Sequence, residues 1–117
     1  MNRRAAFKPN SETTPLDAVE VTTFRLNGCT CARFVEANAE VDDWLRRQPG
    51  FRSRRIAERE DGEIVDVPIW ESVAAGEAAA ARLMKELVNS EVHSLIEQSS
   101  VSWSVLPVRR LALSEMP

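Results

Sequence analysis

The sequence predicts an α+β domain of β-α-β-β-α-β order, and three observations carry that prediction. Ala18–Leu26 is rich in β-branched residues and Ser100–Arg109 alternates Val and Trp with serines, two segments between them repeat apolar residues at helical spacing, and an Asp-Gly dipeptide separates two middle strands. A chain of 117 residues fits one such domain. The expected organisation is a flexible arm over residues 1–16, a folded domain over 17–110 and a tail over 111–117. Arg3, Arg4, Lys8, Pro9 and Pro15 in the arm show no apolar period.

The first strand is expected from Ala18 to Leu26. Val19, Val21 and Thr23 point one way, Phe24 and Leu26 the other, so both faces carry apolar residues and the strand should be central. Asn27-Gly28 ends it, and Thr30 can cap a helix over Cys31 to Arg47, where Phe34, Ala37, Val41, Trp44 and Leu45 recur at spacings of three and four. Gln48-Pro49-Gly50 stops that helix. Strands over Phe51–Glu60 and Glu63–Glu71 flank Asp61-Gly62, which suits a two-residue type I′ turn. That turn pairs Ile56 with Val67, Arg55 with Pro68 and Ser53 with Trp70, and gathers Phe51, Ser53, Arg55, Asp66 and Trp70 on one face.

Ser72 should cap a second helix from Ala74 to about Asn89, with a short continuation over Glu91 to Gln98. The last strand is expected over Ser100 to Arg109, with Val101, Trp103 and Val105 alternating with serines, and Pro107 suggests an edge position. Right-handed crossovers about a central first strand give the ferredoxin-like arrangement, a four-stranded antiparallel sheet with both helices on one face. Apolar residues on the remaining face call for a partner, most simply a second copy packed sheet to sheet as a homodimer.

Composition narrows the functional classes. A net charge of −3 with 28% charged residues gives no global basic field for nucleic acid or anionic lipid. No apolar stretch is long enough to span a membrane and no secretory signal is evident, so the expected location is cytoplasmic. Cys29 and Cys31 supply two of the four ligands of a structural zinc, and the single His93 is too distant in sequence to complete them, so no metal is expected. No Gly-rich phosphate loop and no Ser-His-Asp set is present.

The element order resembles the dimeric α/β-barrel superfamily, in particular the antibiotic biosynthesis monooxygenase-like proteins. Gln48-Pro49-Gly50-Phe51, Asp61-Gly62 and Trp70-Glu71-Ser72 carry the resemblance, which spans roughly residues 18–109. It implies the dimeric barrel fold and a pocket between sheet and helices. It leaves the activity open, because the superfamily holds cofactor-free monooxygenases, haem-degrading enzymes, isomerases and decarboxylating enzymes. It points to Trp70 and His93 first, then to Arg55 and Asp66. The chain departs from the better characterised monooxygenases in having no tyrosine, which excludes a tyrosine acid.

Each candidate also has a plain structural reading. His93, the only side chain whose ordinary titration lies near neutrality, is either a general base or haem ligand, or a helix-surface histidine satisfied by backbone and water. Trp70 and Trp103 either stack on an aromatic ligand or belong to the core. Arg55, within the cluster Arg52, Arg54 and Arg55, either orients an anion or pairs across the hairpin with Glu58, Glu60, Glu63 or Asp66. Asp42 and Asp43 read as solvated surface. The reading that follows is an oxidoreductase-like enzyme for a small apolar or aromatic compound, with no tightly bound cofactor. The alternative is a non-catalytic dimer that binds a small molecule or a protein.

Overall fold

The computed structural model describes residues 16–115; of the expected arm only Leu16 falls within that range, and the last two residues of the tail lie outside it. Strand β1 (Ala18–Leu26) leads into helices α1 (Cys31–Ala37) and α2 (Ala39–Arg46). Strands β2 (Phe51–Glu58) and β3 (Ile64–Trp70) follow, then α3 (Val73–Glu86), α4 (Glu91–Leu95) and β4 (Ile96–Pro107). The strands form one antiparallel sheet in the order β2-β3-β1-β4. This is the expected ferredoxin-like α+β arrangement, with β1 central and Pro107 on an edge strand.

Local signals act where the sequence placed them, with three corrections. The Thr30 hydroxyl accepts the Arg33 N–H at 3.1 Å, and Ser72 accepts the Ala75 N–H at 3.0 Å. The first helix is interrupted at Asn38, whose side-chain amide donates to the Phe34 carbonyl at 2.8 Å. An amide that bonds its own helix backbone competes with the regular ladder, and so one predicted helix becomes two. The continuation expected as helix to Gln98 turns into strand at Ile96, because Ile96 and Glu97 pair with Leu26 and Arg25 across a register shift in β1 and β4.

The third correction is the hairpin register. Arg59 N–H donates to the Glu63 carbonyl and Gly62 N–H to the Arg59 carbonyl, so the loop holds three residues, with Gly62 at a φ of 92°. Glu58 therefore faces Ile64, Ile56 faces Asp66, Arg55 faces Val67 and Arg54 faces Pro68. A shift of one residue moves every β2 side chain to the opposite face relative to β3. Arg54, not Arg55, joins Asp66 and Trp70 on the helix side.

The core lies between the sheet and the helices, with Phe24, Phe34, Val41, Trp44, Leu45, Ile64, Trp70, Ala79 and Val92 buried. Phe24 and Phe34 meet edge to face at 5.4 Å, as do Phe51 and Trp70. The turn into β2 is tight because Gly50 has a φ of 83° and an added Cβ would lie 2.8 Å from the Ala75 Cβ. Gly50→Ala is expected to cost about 1–3 kcal/mol, read as a lower urea midpoint at unchanged slope.

Candidate active site

Two polar constellations interrupt the apolar space beneath the sheet. The first is built on β1, where alternation turns Ala18, Glu20, Thr22 and Phe24 toward the helices. The Glu20 carboxylate accepts the Trp70 indole N–H on Oε1 at 2.8 Å and the Trp103 indole N–H on Oε2 at 2.6 Å. Trp70 comes from β3 and is 1% exposed, whereas Trp103 comes from the edge strand β4 and is 47% exposed. Burial raises the Glu20 carboxyl above its ordinary range. The two indole bonds oppose that shift, nearby Asp66 adds to it, and Arg54 opposes it.

The second constellation centres on Arg54, whose side chain is 9% exposed. Its Nε and Nη2 donate to the two Asp66 oxygens at 3.0 and 2.7 Å, Nη1 donates to Asp42 at 2.9 Å, and Nη2 also donates to the Asn38 amide oxygen at 2.8 Å. Burial alone would weaken the hold of this guanidinium on its proton, but the bonds to Asp66 and Asp42 outweigh that and raise its pKa. The interruption at Asn38 thus has a consequence for the site, since Arg54 ties the helix break to β2 and β3. Asp42, expected as solvated surface, is one of its partners.

Between these groups lies a cavity of about 550 Å³. That volume is within the range of small-molecule sites. Phe24, Phe34, Trp44, Trp70, Leu83, Leu87 and Val92 supply apolar wall, and Val101, Trp103 and Met84 stand partly exposed at its open side. Glu20, Asp66, Glu77, Arg54 and His93 are the ionisable lining residues.

His93, Trp70, Asp66 and Trp103 all line this space. The His93 imidazole, from α4, has no hydrogen-bonding partner among the described residues. Arg55 is the correction: it lies on the open side of the sheet, exposed, with its guanidinium on the Ser53 hydroxyl at 3.1 Å. Glu20 is the residue that sequence reasoning missed. The available signal was its place on the inward side of a central strand, alternating with Ala18 and Phe24. Cys29 and Cys31 are unbridged and partly buried at the start of α1, and no described cluster of His, Cys, Asp or Glu has the makings of a metal site.

No family model and no curated protein matches the sequence. Solved structures do match. The cofactor-independent oxygenase SnoaB from Streptomyces nogalater superposes with a TM-score of 0.65 at 20% identity, covering 81% of this chain and 95% of that one. A monooxygenase from the ActVA-Orf6 gene of Streptomyces coelicolor, solved with the ligand Nanaomycin D, gives 0.59 at 26% identity, covering 86% and 94%. The chain has the antibiotic biosynthesis monooxygenase-type fold. A conserved protein from Methanosarcina mazei Go1 shares this monooxygenase-type fold at 7% identity, with a TM-score of 0.62 over 80% of this chain and 94% of that one. At such divergence the fold constrains chemistry only weakly, and the site must carry the functional argument.

Proposed function

We propose that this chain is a cofactor-independent oxygenase-type enzyme acting on a small, largely apolar aromatic compound. The observation that carries the reading is the open cavity of about 550 Å³ with Glu20 and His93 on a largely aromatic and aliphatic wall, where Arg54 and Asp66 are already paired with each other. Cofactor-independent oxygenases such as SnoaB supply the precedent for the chemistry. Dioxygen reacts slowly with closed-shell organic molecules unless they are electron-rich, so a protein without a redox cofactor must make the substrate itself the reductant. Removing a proton from an acidic C–H or O–H does that, and a base beside an apolar ring is what the step requires. For a methylene flanked by aromatic rings, CH₂ plus O₂ gives C=O plus H₂O. The C–H electrons reduce dioxygen, one oxygen atom enters the product and the other leaves as water.

In this reading Glu20 accepts the substrate proton, Trp70 and Trp103 hold the carboxylate in place, and His93 serves as the second proton-transfer group. Arg54 and Asp66 organise the wall rather than react. An open cavity with His93 on its lining favours an enzyme over the non-catalytic alternative, which a filled interior would have supported. Purified protein free of flavin and metal is expected to consume one O₂ per anthrone and to release anthraquinone, followed by an oxygen electrode and mass spectrometry. Oxygen uptake at the buffer rate would leave the binding-protein reading in place.

We also propose that a second copy covers the open side of the sheet. Val19, Val21, Val65, Val67 and Ile69 share that side with Leu106, which is 48% exposed. Such a contiguous apolar face suits sheet-to-sheet packing. Light scattering after size exclusion is expected to give twice the chain mass, and Val67→Glu is expected to give the monomer. A wild-type monomer at micromolar concentration would refute the dimer. Among the described residues no helix is long and apolar enough to cross a membrane, and a cytoplasmic location is part of the proposal.

A further inference from the structure

We propose that the cavity acts as a charge filter: it takes neutral aromatic ligands that can donate a hydrogen bond and rejects their anionic counterparts, with Glu20 as the specificity-determining residue. This rests on the reading of the cavity as a ligand site.

A bound anion needs hydrogen-bond donors or a free cation on the wall. The indole donors are already committed, Trp70 and Trp103 to Glu20 and Trp44 to Glu86 at 2.8 Å. Arg54, the only arginine or lysine among the described residues lining the cavity, makes four hydrogen bonds to Asp66, Asp42 and Asn38, so its charge faces two carboxylates. The Asn38 amide donates to Phe34 and the Gln98 amide to the His93 carbonyl. Among the described lining side chains, the donors that remain are the Thr22 and Ser90 hydroxyls, the His93 ring, and one N–H each on Arg54 Nη1 and Asn38 Nδ2, atoms that already bond Asp42 and the Phe34 carbonyl.

Acceptor capacity is in surplus. A carboxylate offers about four lone-pair sites. Each Glu20 oxygen has one taken by an indole, which leaves a site on each for a ligand hydroxyl or amide N–H. A ligand hydroxyl pairs there without displacing a protein bond. A ligand carboxylate would set two anions side by side in an apolar enclosure, where water screens them poorly.

Calorimetric titration of the full chain at neutral pH with 1-naphthol, 1-naphthamide and 1-naphthoate tests this, because the three share one ring system and differ in charge and donor. Naphthol and naphthamide are expected to bind about tenfold or more tightly than naphthoate. Glu20→Gln is expected to shrink that ratio by admitting naphthoate, and Trp103→Phe, which frees Oε2 but keeps the carboxylate, to preserve it. The wild-type ratio should persist in His93→Asn, which removes any cationic contribution from the imidazole. Circular dichroism confirms that each variant is folded. Naphthoate binding as tightly as naphthol, or a ratio unchanged in folded Glu20→Gln, overturns the filter while leaving the cavity a ligand site. Heat of binding from none of the three would overturn the ligand-site reading, and the filter with it.

Discussion

Arg54→Met is expected to lower the unfolding free energy by about 3–5 kcal/mol, the range for breaking a buried ion pair from one side. The cause is less the lost attraction than the group left behind. Asp66 is buried, and among the described residues Arg54 alone donates hydrogen bonds to its two oxygens. Removing the guanidinium strands that carboxylate beside Glu20, whose own charge burial already disfavours. Asp42 loses less, because its side chain is 40% exposed and water can replace the bond. Adding Asp66→Asn to Arg54→Met should therefore recover part of the loss, and the double-mutant cycle in urea measures how much. A cost under about 1 kcal/mol for Arg54→Met would place this pair among exposed, weakly contributing bridges.

The second large effect is on turnover. Glu20→Gln is expected to reduce the rate of substrate oxidation by about 10²–10⁴-fold, the usual range for loss of a positioned general base. A base must be deprotonated to act, so the wild-type rate should rise with pH through an apparent pKa above the ordinary glutamate range, and folded Glu20→Gln should lack that limb. Stability should move the opposite way. The folded carboxyl holds its proton more tightly than the unfolded one, so its contribution is complete below the unfolded value and is lost as pH rises through the folded value. Unfolding free energy should therefore fall with pH across that window in wild type and fall less in Glu20→Gln. A wild-type acid limb unchanged in the variant would assign the base to another group, with His93 next.

The fold was legible because its signals are local and agree. The alternation of β1, the Thr30 and Ser72 caps and the break at Gly50 each depend on a few neighbouring residues, and together they leave one element order. The site was harder to read, for identifiable reasons. Asp61-Gly62 is compatible with hairpin loops of two or three residues. The three-residue loop exchanges Arg55 for Arg54 in the interior, although the pairing of an arginine with Asp66 was foreseeable from charge. Asn38 gave no warning of the helix break, since the apolar period runs through it undisturbed. Glu20 was obscured because β1 carries apolar residues on both faces, Val19 and Val21 on one and Phe24 and Leu26 on the other, so local pattern leaves the inward side undecided; Ala18, Thr22 and Phe24 occupy it. Its partners Trp70 and Trp103 lie 50 and 83 residues away, beyond the reach of local pattern.

The proposed chemistry sits at one carboxylate held by two indoles inside a largely apolar cavity. A crystal structure of the protein grown with 1-naphthol tests that most directly. The ring is expected within the cavity lined by Phe34, Trp44 and Trp103, with the hydroxyl about 2.6–2.8 Å from a Glu20 oxygen. Naphthol bound elsewhere, or a cavity closed by its own side chains with Glu20 turned to solvent, would contradict the account.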